Sequence, residues 1–436
     1  MIVFGADRFD KTKKIIWDPL KVVNGHFMIV GGSGSGKTYN IRKILREIIS
    51  TDDSIRFHII DVHGDIDIGE DVTSTKTYSE TANIGLQPLK ISDDLDFGGV
   101  RKKVRSFISM INNTSRTLGT KQEPVFNYLL TDLFRAAGFY QEDSRTWKLE
   151  NDPRKNVKYK KTYPTMMDLK MFTKYKLEQI FAGTNSKAVH KLENLNKTVK
   201  SLESVGQKMN KNKHDADFVA KLEEKMDKLK TEAKTLYGEY IDSIQTGREL
   251  DEILKYDSME TIKSLYNRIE TMISTGIFKS QEADFDTNKP VKRYKIHTLN
   301  KDEQKMFVNI LLEDIFMEVK RAGEQDGVKT FIVIDEAHIF ITDDDDHIIN
   351  VIMKEARKFG LGIMLASQSF GHFSEDVIAN AATKIILGID EMYHEVSAKK
   401  LRLEPKQFSY ITPHKSALMQ IKNKGNSSNK FTHCVF

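Results

Sequence analysis

Cysteine and long apolar runs are nearly absent from this chain of 436 residues. Its one cysteine, Cys434, excludes an internal disulfide framework. No segment approaches the roughly 18 to 20 apolar residues that a membrane-spanning helix needs, and the first 14 residues lack the apolar core of a signal peptide. We therefore expect a cytoplasmic protein without a transmembrane segment.

The composition indicates a folded chain with one basic region. Hydrophobic residues make up 39% of the chain and charged residues 30%, which suits one large α/β core and a further, smaller part. The chain has a net charge of +5, yet residues 151–230 hold 19 lysines and arginines against 10 aspartates and glutamates. The basic character is therefore local, and the rest of the chain is slightly acidic.

The sequence FMIVGGSGSGKT at Phe27–Thr38 predicts a phosphate-binding P-loop. An apolar strand, Phe27–Val30, leads into the pattern Gly-x-x-x-x-Gly-Lys-Thr, and a helix-compatible run, Tyr39–Ile49, follows. This is the context that a P-loop requires. The glycines leave room for backbone N–H groups to face a triphosphate at a helix N-terminus. A flexible Gly/Ser turn is the alternative. The candidate nucleotide-binding residues are Gly32, Ser33, Gly34, Ser35, Gly36, Lys37, Thr38 and Tyr39.

A second part of the same site is predicted at Lys329–Glu336, KTFIVIDE. A short apolar strand that ends in two carboxylates delivers them to the carboxyl edge of a parallel sheet. We expect Lys37 to contact the β- and γ-phosphates of ATP, and Thr38 and Asp335 to bind Mg²⁺. We expect Glu336 to polarise the attacking water. Taken alone, the Asp-Glu pair fits a helix cap equally well.

The residues that follow carry a resemblance to a known family. After Asp335-Glu336-Ala337-His338 come Glu355–Gly360 (EARKFG), a strand at Gly362–Ala366 that ends in Ser367-Gln368-Ser369, and the run Asn380–Leu387. This series resembles the HerA/FtsK superfamily of ring-forming DNA-pumping ATPases, and is most similar to its HerA branch and the related type IV secretion ATPases. The resemblance covers residues 2 to about 71 and about 292 to 421.

The resemblance implies roles for two further residues. Gln368 would sense the γ-phosphate at the end of its strand, and Arg357 would reach a neighbouring subunit's nucleotide. Each has a simpler alternative, because a glutamine at a strand end is commonly a satisfied edge residue and an arginine in the last turn of a helix complements the helix dipole. HerA-type motors also carry an N-terminal β-barrel. Here the P-loop begins at Gly31, so we expect the barrel to be missing.

The predicted fold is a RecA-like, doubly wound, mostly parallel α/β sheet with an inserted α-helical domain. Residues 1–100 are expected to form the first part of the ATPase core, residues 101–285 a mostly helical insertion, and residues 286–436 the second part of the core. Within the insertion, apolar residues recur every three or four positions on both sides of a polar break at residues 210–214. This pattern predicts a basic helical hairpin at about residues 188–240.

The hairpin has two interpretations: a solvated projection, or an arm that binds DNA or a partner protein. The candidate nucleic-acid contact is a short segment in which lysines are interleaved with tyrosines. Its residues are Lys155, Lys158, Tyr159, Lys160, Lys161 and Tyr163.

By the resemblance, the chain would be an ATP-driven motor on double-stranded DNA within a homohexameric ring, using ATP and Mg²⁺, with a nuclease or other effector as a further partner. Two alternatives stay open. One is a type IV secretion or conjugation ATPase. The other is a nucleotide-gated module whose ATP state controls assembly with an effector.

Overall fold

The computed structural model describes most of the chain, as residues 1–96, 98–114, 117–149, 161–182, 186–211, 216–243, 255–256, 258–279, 281–342, 344–345, 347–425 and 430–436. The chain divides into two compact units. The first unit consists of Met1–Thr117 and Thr275–Phe436, and the second is Leu118–Ser274. The chain therefore leaves the first unit once and returns to it once.

The described part of the first unit contains one large sheet. Its strands are β1 (Ile2–Asp7), β2 (Lys14–Trp17), β3 (Phe27–Val30), β4 (Arg56–Asp61), β5 (Thr73–Thr77), β6 (Val291–Lys295), β7 (Thr330–Ile334), β8 (Leu361–Ser367), β9 (Thr383–Ile386), β10 (Ser416–Ile421) and β11 (Thr432–Val435). Their order across the sheet is β2-β1-β11-β10-β9-β3-β8-β7-β4-β6-β5. All neighbours from β9 to β5 are parallel.

The other end of the sheet is antiparallel, because β10 reverses direction against β9 and is followed by β11, β1 and β2. Parallel strands covered on both faces are typically apolar along their whole length. The central strands β3 and β8 are indeed fully buried. The predicted α/β fold class with a mostly parallel sheet is confirmed.

The helices of the first unit are α1 (Lys37–Thr51), α2 (Val100–Thr114), α8 (Lys301–Arg321), α9 (Ile348–Glu355), α10 (Glu375–Asn380) and α11 (His394–Leu401). Those described in the second unit are α3 (Gln122–Ala136), α4 (Met166–Ala182), α5 (Ser186–Lys211), α6 (Ala216–Ser243) and α7 (Met259–Ser274). Among the described residues, no helix combines the length and the apolar character that crossing a membrane requires.

Helix α2 was predicted to belong to the inserted domain, but the structure places it elsewhere. It lies in the first unit, where Lys103 contacts Glu313 of α8 at 3.4 Å and the Ser106 hydroxyl donates to the same carboxylate. Its apolar face, including Val104 and Phe107, is buried. The helical insertion of the structure therefore begins near residue 118, after α2.

The P-loop strand rests on an aromatic core. Trp17 packs on Phe27 with ring centroids 5.1 Å apart, and Phe57 stacks on Phe331 at 5.5 Å. Helix α1 covers this core with an apolar stripe formed by Ile41, Ile44, Leu45 and Ile48. Because close-packed aromatic and aliphatic side chains hold both ends of the strand-loop-helix element, the loop between them has a fixed base.

The second unit contains the predicted hairpin, formed by α5 and α6. Its apolar seam includes Val205 and Leu222, which are both buried. Lys191 on α5 forms an ion pair with Glu239 on α6, as two antiparallel arms require. Most of the predicted lysine- and tyrosine-rich segment, namely Lys155, Lys158, Tyr159 and Lys160, lies outside the described residues.

The last two residues of that segment pack inside the second unit. The Lys161 ammonium lies 3.9 Å from the centre of the Phe139 ring, and Tyr163 stacks on the same ring at 5.2 Å. A cation over an aromatic face is a stabilising contact within the fold. These two residues therefore have a structural role in the second unit.

Candidate functional site

Four neighbouring strands end at one edge of the sheet. Val30 of β3 pairs with Ser367 of β8, and Ile334 of β7 pairs with both Leu365 of β8 and Ile60 of β4. Ligands bind outside the carboxyl ends of strands in open α/β sheets. The P-loop, the Asp335-Glu336 pair and Gln368 follow these ends directly, so the structure brings these predicted residues to one edge.

The P-loop has the backbone shape that its glycines allow. Gly34 and Gly36 have φ values of 73° and 92°, a region that other residues rarely adopt. The Gly31 N–H donates to the Ser367 carbonyl at 3.1 Å, and the Gly32 N–H donates to the Gly388 carbonyl at 2.7 Å. The loop is therefore tied to both strands that flank β3.

Lys37 begins α1 and folds back over the loop. Its ammonium donates to the carbonyls of Gly31 and Gly32 at 2.8 and 3.3 Å. Thr38 follows in the first turn, and the Tyr39 side chain is 65% exposed. An ammonium and a helix N-terminus on one short loop suit a bound polyphosphate.

The acidic pair lies where β7 ends. Asp335 is 3% exposed and Glu336 is 7% exposed. Burial, helped by the neighbouring carboxylates of Glu336 and Asp65, raises the pKa of Asp335 to about 6, although the Glu336 N–H bond and His63 act in the opposite direction. Two adjacent carboxylates that are shielded from water favour a bound cation.

Mg²⁺ therefore fits this site. Hard oxygen donors are the ligands that Mg²⁺ prefers, and it usually keeps few protein ligands alongside phosphate oxygens. Asp335 supplies a carboxylate beside the P-loop. Among the described residues, no hydrogen-bond partner meets the buried Ser35 hydroxyl in the loop itself, as expected of a loop whose polar groups serve a bound phosphate.

Glu336 has a left-handed backbone, with φ 50° and ψ 45°. This conformation is costly for a residue with a side chain and persists only where the surroundings fix it. Its N–H donates to the Asp335 carboxylate at 2.9 Å. The Asp335 carboxylate is therefore tied to the backbone of the turn that carries Glu336.

Gln368 and Arg357 lie at opposite ends of β8. Gln368 directly follows the strand and is exposed at the P-loop edge. Arg357 belongs to a short 3-10 helix, Ala356–Phe359, that precedes the strand, and its side chain is exposed. The structure therefore brings Gln368 to the P-loop edge, and it places Arg357 at the other edge of the sheet.

The acid at the end of β4 is engaged within the fold. Asp61 is fully buried, and its carboxylate accepts from the Gly64, Asp65 and Ile66 N–H groups. The Arg293 guanidinium lies 2.6 Å from the same carboxylate. Asp61 therefore shapes the loop that carries His63 and Asp65 towards Asp335.

Two contacts to the P-loop were missed from the sequence. One is the Gly388 carbonyl, which follows β9. The other is His414, whose Nε2 lies 2.8 Å from the Gly34 carbonyl and whose backbone is left-handed, with φ 62°. A non-glycine residue in such a conformation was the available signal, but it becomes visible only in three dimensions.

Comparisons with known proteins relate this chain to a family of helicases. A family profile described as the central domain of the helicase HerA matches residues 9–315. This match includes the inserted segment, which the motif resemblance left out, and ends before β7. The chain is 29% identical over 199 residues to a probable helicase of Methanocaldococcus jannaschii. It is 26% identical over 183 residues to the DNA double-strand break repair helicase HerA of Pyrococcus furiosus.

These alignments are partial on both sides. They cover 40% and 34% of this chain, and 37% and 33% of the respective relatives. The chain therefore aligns with about a third of the length of the curated relatives.

Solved structures show the same fold over nearly the whole chain. VirB4 of Thermoanaerobacter pseudethanolicus superposes with a TM-score of 0.63 at 13% identity, covering 100% of this chain and 96% of that one. The plasmid coupling protein TrwB, in complex with a non-hydrolysable ATP analogue, gives a TM-score of 0.51 at 11% identity, covering 96% and 90%. At such identities the likeness shows the fold alone. Since the HerA profile spans more than half of the residues, the chain belongs to the HerA helicase central-domain family.

Proposed function

We propose that this chain is an ATPase that drives movement along double-stranded DNA as a homohexameric ring. The arrangement that carries this proposal is the P-loop beside the buried Asp335-Glu336 pair in a member of the HerA family. The matched relatives are called helicases, and one is called a DNA double-strand break repair helicase. A nuclease or other effector is proposed as a further partner.

The proposed chemistry assigns each residue a separate task. The Lys37 ammonium and the loop N–H groups bind and orient the phosphates. When Mg²⁺ is bound, Thr38 and Asp335 hold it, and it neutralises charge on the phosphates. Glu336 orients the attacking water through its carboxylate. Gln368, at the end of β8, contacts the terminal phosphate.

Buried acids of this kind work well in phosphoryl transfer. The reaction requires mainly positioning and charge stabilisation, so groups fixed in advance in a dry site are effective. The backbone of Glu336 is fixed by its left-handed turn, and Lys37 is fixed by two loop carbonyls. Both groups are therefore already restrained before the substrate binds.

The experiment that tests this proposal measures three properties of the purified chain. We expect ATP hydrolysis that increases on addition of double-stranded DNA, displacement of a protein roadblock from that DNA, and a hexameric mass in light scattering with nucleotide present. The Glu336→Gln variant is the control, because it should bind ATP and DNA without displacing the roadblock.

Other results would favour the alternatives. ATP-dependent assembly with an effector protein and little turnover would indicate a nucleotide-gated module. Turnover that responds to components of a secretion complex, and not to DNA, would indicate a secretion-type ATPase. Absence of nucleotide binding by the wild-type chain would contradict all three.

A further inference from the structure

The Glu336 carboxylate has a close neighbour that the proposed reaction does not use. Its Oε2 lies 3.1 Å from Nδ1 of His338, on the short 3-10 helix Ala337–Ile339. The two atoms are within ion-pair distance but are not aligned as a hydrogen bond. Such contacts are commonly loose without substrate and tighten when the reactive complex forms. Oε2 therefore faces His338, which leaves Oε1 for water.

The His338 ring is itself held from the neighbouring strand. It stacks on the His372 ring with centroids 4.9 Å apart and an angle of 30°. Nδ1 of His372 lies 3.2 Å from the Ser367 hydroxyl, and Ser367 is the fully buried last residue of β8. The orientation of one imidazole therefore depends on the other, and the second is anchored to β8.

The segment that carries His372 is braced at several points. The Lys400 ammonium on α11 donates to the carbonyls of Gly371, at 2.9 Å, and Phe373. The Gly371 N–H donates to the Ser369 hydroxyl at 3.0 Å. Gln368 lies in the same segment, between Ser367 and Ser369. The candidate phosphate sensor and the anchor of the histidine pair therefore share one short, braced stretch of chain.

The electrostatics of the pair agree with this geometry. Burial lowers the pKa of His372, and the neighbouring His338 and Lys400 act in the same direction, whereas Glu336 opposes the shift. A neutral imidazole stacks without charge repulsion, and it leaves a single proton to share between its two nitrogens.

We propose that His338 and His372 are positioning residues, whose stacked rings orient the Glu336 carboxylate and couple it to the Ser367–Phe373 segment that carries Gln368. This arrangement follows the general rule that a catalytic base is oriented by a third group. The inference rests on the proposed ATPase function. It adds that the orientation of Glu336 changes when the segment after β8 moves.

The test uses variants of the full chain that separate the two contacts. His338→Phe keeps a ring for stacking but removes Nδ1, and His338→Asn keeps a polar nitrogen but removes the ring. His372→Phe keeps the stack and loses the Ser367 contact, and His372→Ala loses both. His433→Phe, on β11, is the matched control, because β10 and β9 separate β11 from the P-loop strand β3.

We expect kcat to fall by about tenfold or more in His338→Phe and His372→Ala, which is the scale of a partly misplaced base. His338→Asn and His372→Phe should recover part of the loss. The KM for ATP should stay within about twofold, because Lys37 and the P-loop are unchanged. The control should keep the wild-type kcat.

A second measurement does not depend on turnover. In protein with ¹⁵N-labelled histidine, Glu336→Gln should shift the ring signals of His338 and His372 and leave those of His433 unchanged. Unchanged signals, unchanged kcat in both His338→Phe and His372→Ala, or an altered KM with an intact kcat would overturn the proposal. Failure of the wild-type chain to hydrolyse ATP would contradict the proposed function, and the positioning role with it.

Discussion

Arg293 of β6 and Asp61 of β4 form a buried ion pair across two parallel strands, with 2.6 Å between the guanidinium and the carboxylate. Both side chains are nearly inaccessible to water, and Arg293 also donates to the Gly64 carbonyl at 2.9 Å. The pair therefore fixes the loop that brings Asp65 near Asp335.

Removing the arginine should destabilise the first unit strongly. Arg293→Met leaves the buried Asp61 charge without its partner, which typically costs about 3–5 kcal/mol of unfolding free energy. Lys90→Met is the matched control, since Lys90 pairs with Glu282 at 3.1 Å on the surface, and exposed pairs contribute about 1 kcal/mol or less. Urea titrations of both variants measure the difference. Equal losses of unfolding free energy in the two variants would show that the buried ion pair contributes no more to stability than the surface pair.

Lys37→Ala and Glu336→Gln should separate binding from turnover. Lys37 contributes charge to the phosphates already in the ground state, so its loss should abolish measurable nucleotide binding. Glu336 acts on water as the reaction proceeds, so Glu336→Gln should bind ATP normally and lose turnover by about a hundredfold or more. A fluorescent nucleotide titration and a steady-state ATPase assay distinguish the two. Full turnover in Glu336→Gln would remove it from the catalytic role.

Arg357 is expected to act between subunits, because β8 separates it from the P-loop edge of its own chain. Arg357→Ala rings and Glu336→Gln rings should each be inactive. Mixed rings should regain some ATPase activity at interfaces that receive an intact residue from each chain. The measurement is activity across mixing ratios, with subunit exchange followed by fluorescence transfer. Exchange without any recovery would count against the assignment.

The two arms of the hairpin differ in charge, and this difference predicts a nucleic-acid contact. Helix α5 holds six lysines against two acids, whereas α6 holds five lysines against seven acids. The exposed residues Lys197, Lys200, Lys208 and Lys211 recur at helical spacing on the face opposite the apolar seam.

Replacing these four lysines of α5 by alanine should weaken DNA binding and flatten its salt dependence. Each lost phosphate contact lowers the slope of log K against log salt by about 0.9. The matched control replaces Lys221, Lys225, Lys228 and Lys234 on α6, where Lys228 already pairs with Glu224 at 2.7 Å. An equal change in both variants would indicate a general charge effect. Loss of a bound protein at constant slope would indicate a docking arm.

Two buried histidines predict loss of stability in weak acid. Burial lowers the pKa of His26 to about 4 and that of His58 to about 3, and the charge of Lys292 acts in the same direction on His58. At these two histidines the unfolded chain binds more protons between about pH 6.5 and 4, so their contribution to stability is complete above that window and is lost as the pH drops through it. The raised pKa values of Asp335 and Asp314 act in the opposite direction. Urea midpoints between pH 7.5 and 4.5 measure this, and His58→Phe should reduce the slope.

The elements of the site were predictable from the sequence because local patterns determine them. The strand Phe27–Val30 matches its prediction, and α1 extends the predicted helix by only two residues at each end. A glycine-rich loop and a strand ending in two acids have few alternative structures. The roles of the individual residues stay predictions, since no variant or bound nucleotide tests them.

Other parts of the site depend on long-range topology. His414 approaches the P-loop only because β10 reverses direction and begins at the edge where β3 ends. The stack of His338 on His372 joins residues that follow two different strands. Neither pairing follows from spacing in the sequence. The beginning of the insertion was equally hidden, because α2 has the same amphipathic pattern as the helices of the second unit.

Strand β8 also connects two candidate site residues that lie far apart. Its seven residues extend about 23 Å, and all of them are buried between two hydrogen-bonded neighbours. This buried strand has Arg357 just before its first residue and Gln368 just after its last residue. In the proposed ring, Arg357 of one subunit would contact the nucleotide of the next. A movement of β8 that begins at one nucleotide would then change the position of Arg357 at the neighbouring one.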